Sequence, residues 1–285
     1  MGLRNYWGLA EGLRLNTTLE RLHTLDGPSN EATAIALGLD YTGSEMWKGT
    51  TRLEWRDAET SESWLSTIAL ARKMNREWTF LGRNLYTQTD SKNAGGGDLK
   101  QDRFQLGFAY RDTDTNRWHT LARYEFKYEK DTAPSDPFSR RAHILSAHTN
   151  YQPSKPWIWS GQYAVKRVNE RFSEGVSDSF TAHLLAGRVT YDITERWDVG
   201  GTASMLYSPR GSSKQYGVGV EAGYLVMDNL WVSLGYNFTG FRDDDLVDSN
   251  YSQRGVYLRM RFKFDEDLFK SKDTRINKAL EPEQK

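Results

Sequence analysis

Strict two-faced alternation limits what this chain can fold into more than any other feature. It is clearest in residues 256–264, where Val256, Leu258, Met260, Phe262 and Phe264 share one side of an extended strand and Arg259, Arg261 and Lys263 the other, because successive strand side chains point to opposite faces. The same pattern returns along the chain about fourteen times. A soluble sandwich would bury such an oily face against a second sheet. A closed sheet in a bilayer does the reverse, with every backbone group paired, an apolar outside and a polar inside. The repetition predicts an all-β fold, a transmembrane antiparallel up-and-down β-barrel of about 14 strands in seven hairpins, with residues 256–264 as the closing strand.

Composition agrees with a barrel and not with a helical membrane protein. The 285 residues include ten Trp and fifteen Tyr, yet mean hydropathy is −0.73. No stretch approaches the roughly 18 apolar residues of a membrane helix. A barrel needs an apolar residue only at every second strand position, so its lumen and loops lower the mean. The formal net charge of zero argues against a nucleic-acid partner, which calls for a basic excess. With no cysteine there is neither a disulfide framework nor a thiolate metal site.

Tryptophan marks the period. Trp7, Trp47, Trp78, Trp118, Trp157, Trp197 and Trp231 recur about every 30 to 40 residues, each after a short polar turn. A propeller blade has a similar period but must fit four strands into it, whereas this spacing holds two strands of the roughly 9 to 11 residues that cross a bilayer. The first strand is expected near residues 12–25, the fifth (78–87) loses phase at Leu81-Gly82 as a bulge would, and the eighth (142–151) is ambiguous in face. Turns before each Trp are short and those at the opposite end mostly longer, the asymmetry of periplasmic turns and extracellular loops. The Trp series is therefore expected to form the periplasmic-side aromatic girdle. An even strand count would leave both termini periplasmic.

Parity assigns Lys48, Arg52, Arg56, Arg103, Arg111, Arg123, Lys127, Lys166, Arg259, Arg261 and Lys263 to the inside, against Asp40, Glu54, Glu125, Glu129, Asp198 and Glu221. A basic excess in a narrow passage concentrates anions. The alternative is that these groups pair across strands and fill the interior, although fourteen strands would leave open space where about eight do not. The five histidines are scattered, and His143 and His148, an odd number of residues apart, face opposite ways. His183 beside Ser179 or Thr181 is a chance-level match to a hydrolytic site, so no enzyme is expected, and no cofactor. Asp243, Asp244, Asp245 and Asp248 read as a solvated acidic loop or, less simply, a divalent-cation site. The segment from Gln88 to Asp102, with three consecutive glycines, is the candidate for a loop folded into the lumen.

From Gly235 through Gly240-Phe241-Arg242 to the Tyr251–Phe264 run, and at the Arg76-Glu77-Trp78 and Glu195-Arg196-Trp197 turn units, the sequence resembles the C-terminal outer-membrane barrels of large bacterial surface proteins that carry repeat regions of adhesin or immunoglobulin type. That resemblance implies a domain that anchors or translocates a larger polypeptide in the outer membrane. The alternative is a free-standing channel for anionic solutes or polysaccharide. Expected partners are outer-membrane lipid and lipopolysaccharide, the barrel-assembly machinery, and an upstream passenger. The expected organisation is a barrel over 1–264 and a polar periplasmic tail over 265–285, disordered or a short helix. No export signal opens the sequence, so a mature barrel or a domain cut from a longer precursor is expected.

Overall fold

The computed structural model describes residues 1–23, 31–93, 95–227, 230–241, 243, 245–246 and 254–262, and all structural statements concern these. They form fifteen strands: β1 (Gly2–Ala10), β2 (Leu13–Leu22), β3 (Ala32–Tyr41), β4 (Trp47–Ala58), β5 (Ser61–Lys73), β6 (Trp78–Ser91), β7 (Leu99–Arg111), β8 (Trp118–Asp131), β9 (Phe138–Ser154), β10 (Trp157–Arg171), β11 (Ser177–Asp192), β12 (Trp197–Ser208), β13 (Ser213–Met227), β14 (Leu230–Thr239) and β15 (Gly255–Phe262). The strands lie in one sheet in sequence order, each hydrogen-bonded to the next. This is an antiparallel up-and-down arrangement whose strands need only short connections. Lys263, Phe264 and the tail 265–285 lie outside the described residues.

The strand count is fifteen rather than fourteen because Gly2–Ala10 is a strand of its own, paired antiparallel to β2 from Gly2↔Glu20 to Ala10↔Leu13. Asn5 interrupts the apolar row Leu3, Trp7, Leu9, which hides the period. The hairpin turns at Gly12, whose φ of +69° favours glycine. There the backbone also lies so close to Gly43 that any Cβ on Gly12 would overlap it. Trp7 accordingly sits inside β1 rather than after a turn. An odd count also makes β1 and β15 run the same way, so Gly2 and Phe262 fall at opposite ends of the strand ladder. The even-count argument for placing both ends together does not hold among the described strands.

Connections out of odd strands are short throughout, and this end is called the short-turn end. At the other, long-loop end the connections are mostly longer, although β4 and β5 join through Glu59-Thr60 alone. The sheet is inside-out relative to a soluble protein. On β3, Ala32, Ala34 and Ala36 are buried while Ile35 and Leu37 on the opposite face are 45% and 50% exposed.

Two compact units divide the chain. The first comprises Met1–Ala109, Ala122–Leu145 and Arg167–Phe180, with Ala34, Ala36, Ala142, Ile144 and Val168 among its buried apolar residues. The second comprises Tyr110–Leu121, Ser146–Lys166 and Thr181–Lys285, and buries Ala164, Ala182, Leu184, Leu225, Trp231, Phe241 and Leu246.

Two local expectations change. Register between β5 and β6 runs without a shift from Ser61↔Ser91 to Lys73↔Thr79, so there is no bulge at Leu81-Gly82. Leu81 simply occupies the polar face. The Gln88 to Asp102 stretch is mostly strand, and its remaining loop leans on the neighbouring one, with Asp98 N–H donating to Thr132 Oγ1 at 2.8 Å and Thr132 N–H to Asp98 O at 3.1 Å. The buried loop is instead the one after β14, where Phe241, Asp245 and Leu246 are 5%, 7% and 4% exposed.

Candidate functional site

Within each unit the apolar face carries aromatic contacts at the short-turn end of its strands. Trp118 packs on Tyr151 with centroids 5.3 Å apart, Trp157 on Tyr191 at 4.7 Å and Trp197 on Tyr224 at 4.8 Å, while Arg72 lies 4.5 Å over Trp47. Each pair joins the first residue of an even-numbered strand to the adjacent odd-numbered one, which is why Trp recurs with the hairpin period. Trp78, 42% exposed, and Trp7, 52% exposed, lie on the same face.

Trp231 stands apart from these contacts. It lies on the polar face of β14, 9% exposed, and its Nε1–H donates to Asp198 Oδ2 at 2.5 Å. Parity had the information: Leu230, Val232 and Leu234 flank it on the other face, so following a turn was the weaker signal.

Toward the long-loop end a second aromatic tier appears. It contains Trp55 with Trp64 (6.5 Å), Tyr124 Oη with His143 Nδ1 (2.9 Å) and Phe126 against the same histidine (5.1 Å). In the second unit Tyr163 Oη meets His183 Nδ1 at 3.0 Å, His183 stacks near Tyr207 at 6.5 Å, and Tyr236 meets Phe238 at 5.2 Å. Along a strand the second tier follows the first by six residues from Trp157 to Tyr163, eight from Trp47 to Trp55 and ten from Trp197 to Tyr207. At about 3.3 Å per residue and a tilt of about 45°, six to ten residues rise ~14–23 Å, within the ~25 Å apolar band of a membrane barrel. Between the tiers this face holds no charge on β4, β8, β10 or β12: on β12 it reads Val199, Gly201, Ala203, Met205.

The opposite face is ionic, and its ions are mostly paired. Lys48, Arg52 and Arg56 lie on the polar face of β4, Arg103 and Arg111 on that of β7, Arg123 and Lys127 on β8, Lys166 on β10, and Arg259 and Arg261 on β15. Glu54 holds Arg52 at 2.6 Å and Arg56 at 3.2 Å. Glu125, 1% exposed, takes Arg103 at 2.5 Å, with Arg123 and Lys127 each at 3.9 Å. Lys166 is buried against Asp243 at 2.6 Å and Asp245 at 3.3 Å. The acidic loop is thus neither solvated at these residues nor gathered around a cation site, while Asp244 and Asp248 lie outside the described residues. Among the described residues no group of three or more ligating side chains converges. Arg111 bonds Asn116 Oδ1 beside its turn, and Lys48 is exposed.

The densest cluster spans β11 to β15. Glu221, 5% exposed, accepts from Arg188 and, at 3.0 Å, from Tyr257 Oη, with Arg259 at 3.4 Å. Arg261 lies 4.8 Å over Trp231. Glycine makes the cluster possible, because Tyr257 lies flat over Gly235, where a Cβ would come within 2.5 Å of its Oη and 2.7 Å of its Cε1. Arg188 and Tyr257 were missing from the sequence reading, although parity with Val189 and Leu258 places both on this face. Val256, Leu258 and Met260 lie on the apolar face, 70%, 61% and 66% exposed. β15 takes the end position in the strand order, paired with β14 from Leu230↔Phe262 to Asn237↔Gly255.

The β7–β8 turn is stapled by a carboxylate. Asp112 accepts from the Thr115 hydroxyl and from the N–H groups of Thr115 at 3.0 Å, Asp114 at 3.1 Å and Arg117 at 3.4 Å. These bonds favour the ionised form, the Thr115 hydroxyl most, and lower the Asp112 pKa to about 2. Glu31, before β3, is likewise held below the ordinary range, chiefly by its hydrogen bond with His23.

No family model matches the chain, and no curated protein sequence does. Solved structures do. The siderophore receptor PirA from Pseudomonas aeruginosa superposes with a TM-score of 0.63 at 7% identity, over 80% of this chain and 43% of that one. The alcaligin outer-membrane receptor FauA from Bordetella pertussis gives 0.58 at 10%, over 90% and 53%. The ferric-catecholate import receptor Fiu from E. coli K12 gives 0.58 at 10%, over 83% and 56%. These are receptors rather than C-terminal barrels of repeat-containing surface proteins, and the chain spans about half the length of each. At such identities the likeness speaks for fold alone: the chain has the up-and-down β architecture of bacterial outer-membrane β-barrel proteins.

Proposed function

We propose that this chain sits in the bacterial outer membrane as a β-barrel or part of one, with its apolar face toward lipid, and that its polar face lines a route for solute. The observation that carries the reading is the pair of aromatic tiers set six to ten residues apart along one face with no charge between them, a separation that fits inside a bilayer core. The receptors it superposes on are named for siderophore or ferric-ligand uptake, which supports a transport role. The basic strands β4, β7, β8 and β15 favour an anionic solute. Passage in this reading is selective rather than free. Seven of the ten described cations assigned to the inner face share a carboxylate, which removes much of the excess charge.

That pairing also favours a second reading, in which the domain anchors or translocates a larger surface polypeptide, as the resemblance of residues 235–264 implies. Planar-bilayer recordings of the refolded chain separate the two. Discrete open steps with a reversal potential displaced toward anions are expected for the solute route. A bilayer that stays silent while the protein is demonstrably inserted would overturn it in favour of the anchor.

A further inference from the structure

We propose that the apolar face of β8, β9 and β10, just past its second aromatic tier, binds the phosphorylated headgroup of a membrane glycolipid through Lys130, Arg141, Arg167 and Arg171. The proposal rests on the membrane reading above. Parity places all four on the lipid side: Lys130 shares a face with Tyr128 and Trp118, Arg141 with His143, and Arg167 and Arg171 with Tyr163 and Trp157. All four are exposed.

Their level along the strands follows from neighbouring contacts. Arg141 lies 5.6 Å over the Tyr128 ring, and Lys130 is two residues beyond Tyr128, about 7 Å along the strand. On the opposite face Arg140 meets Glu170 at 2.9 Å, which in an antiparallel pair sets Arg141 opposite Asn169 and diagonal to both Arg167 and Arg171. Three adjacent strands span about 10 Å. The cations therefore form a patch that starts beside Phe126 and Tyr128 and runs past them toward the long-loop end, where in the membrane reading hydrocarbon gives way to headgroups.

The patch has an unusual charge account. On the polar side of the same strands every neighbouring cation has a carboxylate: Arg140 has Glu170, and Arg123 and Lys127 have Glu125. None of the four lipid-side cations has one among the described residues. Four neighbouring cations with no carboxylate among the described residues repel one another, and at a membrane surface they are stabilised by an external anion. The cations are not a uniform rim, since at the same end β4 and β5 present Asp57 and Glu62 on this face. A ligand that sits here offers acyl chains to the aromatic tier and phosphate to the cations. Spread over three strands, the cations suit two phosphoryl groups better than one.

The test uses the full chain in detergent micelles, titrated by native mass spectrometry with a bisphosphorylated diglucosamine lipid, its monophosphoryl form, and inorganic phosphate. The bisphosphoryl lipid is expected to bind about tenfold tighter than the monophosphoryl one, a difference of about 1.4 kcal/mol. The combined variant Lys130→Gln, Arg141→Gln, Arg167→Gln, Arg171→Gln should lose at least about tenfold, and a control with Arg76→Gln and Arg196→Gln in short-end turns should not. Trp157 quenching by brominated lipid in vesicles checks that the variant still inserts. Unchanged lipid affinity in a variant that inserts would overturn the proposal. Competition by millimolar inorganic phosphate would replace the lipid with a free anion. Failure of the wild-type protein itself to show quenching would remove the membrane reading first, and the patch with it.

Discussion

Replacing Gly235 with alanine should destabilise the protein, and the same replacement should become neutral or stabilising once Tyr257 is removed. In the native sheet a Cβ at position 235 would press within 2.5 Å of Tyr257 Oη and 2.7 Å of Cε1. The ring must lift, and its Oη then leaves Glu221 Oε2, which it meets at 3.0 Å. A hydrogen bond to a charged acceptor contributes about 1.5–3 kcal/mol. Glycine in a strand interior costs about 0.5–1 kcal/mol relative to alanine, which the substitution recovers. Gly235→Ala should therefore cost about 0.5–2.5 kcal/mol net in the wild type. In a Tyr257→Ala background only the recovery remains, so the sign reverses and the cycle gives a coupling of about 1.5–3 kcal/mol. Urea unfolding of the protein refolded into lipid vesicles, followed by tryptophan fluorescence, measures all four corners. Equal costs of Gly235→Ala in both backgrounds would refute the argument that the ring, rather than backbone propensity, selects glycine here.

Three further outcomes are expected. In single-tryptophan variants in vesicles with brominated acyl chains, Trp47, Trp118, Trp157 and Trp197 should be quenched and Trp231 spared; quenching of Trp231 would contradict its place on the polar face. Lys166→Met leaves Asp243 and Asp245 buried without their cation and should cost about 3–5 kcal/mol, read by urea unfolding, with Lys166→Arg milder; a loss below about 1 kcal/mol would show that the loop does not depend on the pair. Asp112 has a folded-state pKa below its unfolded one, so its contribution to the β7–β8 turn is complete above about pH 4 and fades as pH falls toward 2; amide exchange at Thr115 should accelerate over that window, and Asp112→Ala should abolish the pH dependence.

Side-chain parity made most of the sheet legible in the sequence. Where strand residues alternate cleanly, as in β4, β12 and β13, the alternation in the sequence and the exposure in the structure divide the strand in the same way, because period 2 leaves no freedom once one residue is placed. Errors arose where a residue broke the polar-apolar equivalence. Leu81 is apolar on the polar face and mimicked a bulge. Trp231 followed a turn like its counterparts, yet its indole N–H satisfies Asp198, a partner that only pairing across strands reveals. Trp7 hid a whole strand because Asn5 sits among apolar neighbours. Interior ion pairs were harder still: Glu221 with Arg188 and Tyr257 draws on three strands, and Lys166 reaches a loop 77 residues away. Phe241 and Leu246 were the missed local signal, being large apolar groups in a loop that otherwise reads as solvated.

Strand length carries a last consequence. β9 has 17 residues and β11 has 16, against the roughly 9 to 11 that cross a bilayer. The surplus lies mainly beyond the second aromatic tier, so past that level the described chain continues as laddered backbone, broken at short irregular stretches such as 132–137 and 172–176. Among the described residues, a protease, an antibody or an inserted peptide tag would find purchase at those breaks rather than along the paired strands.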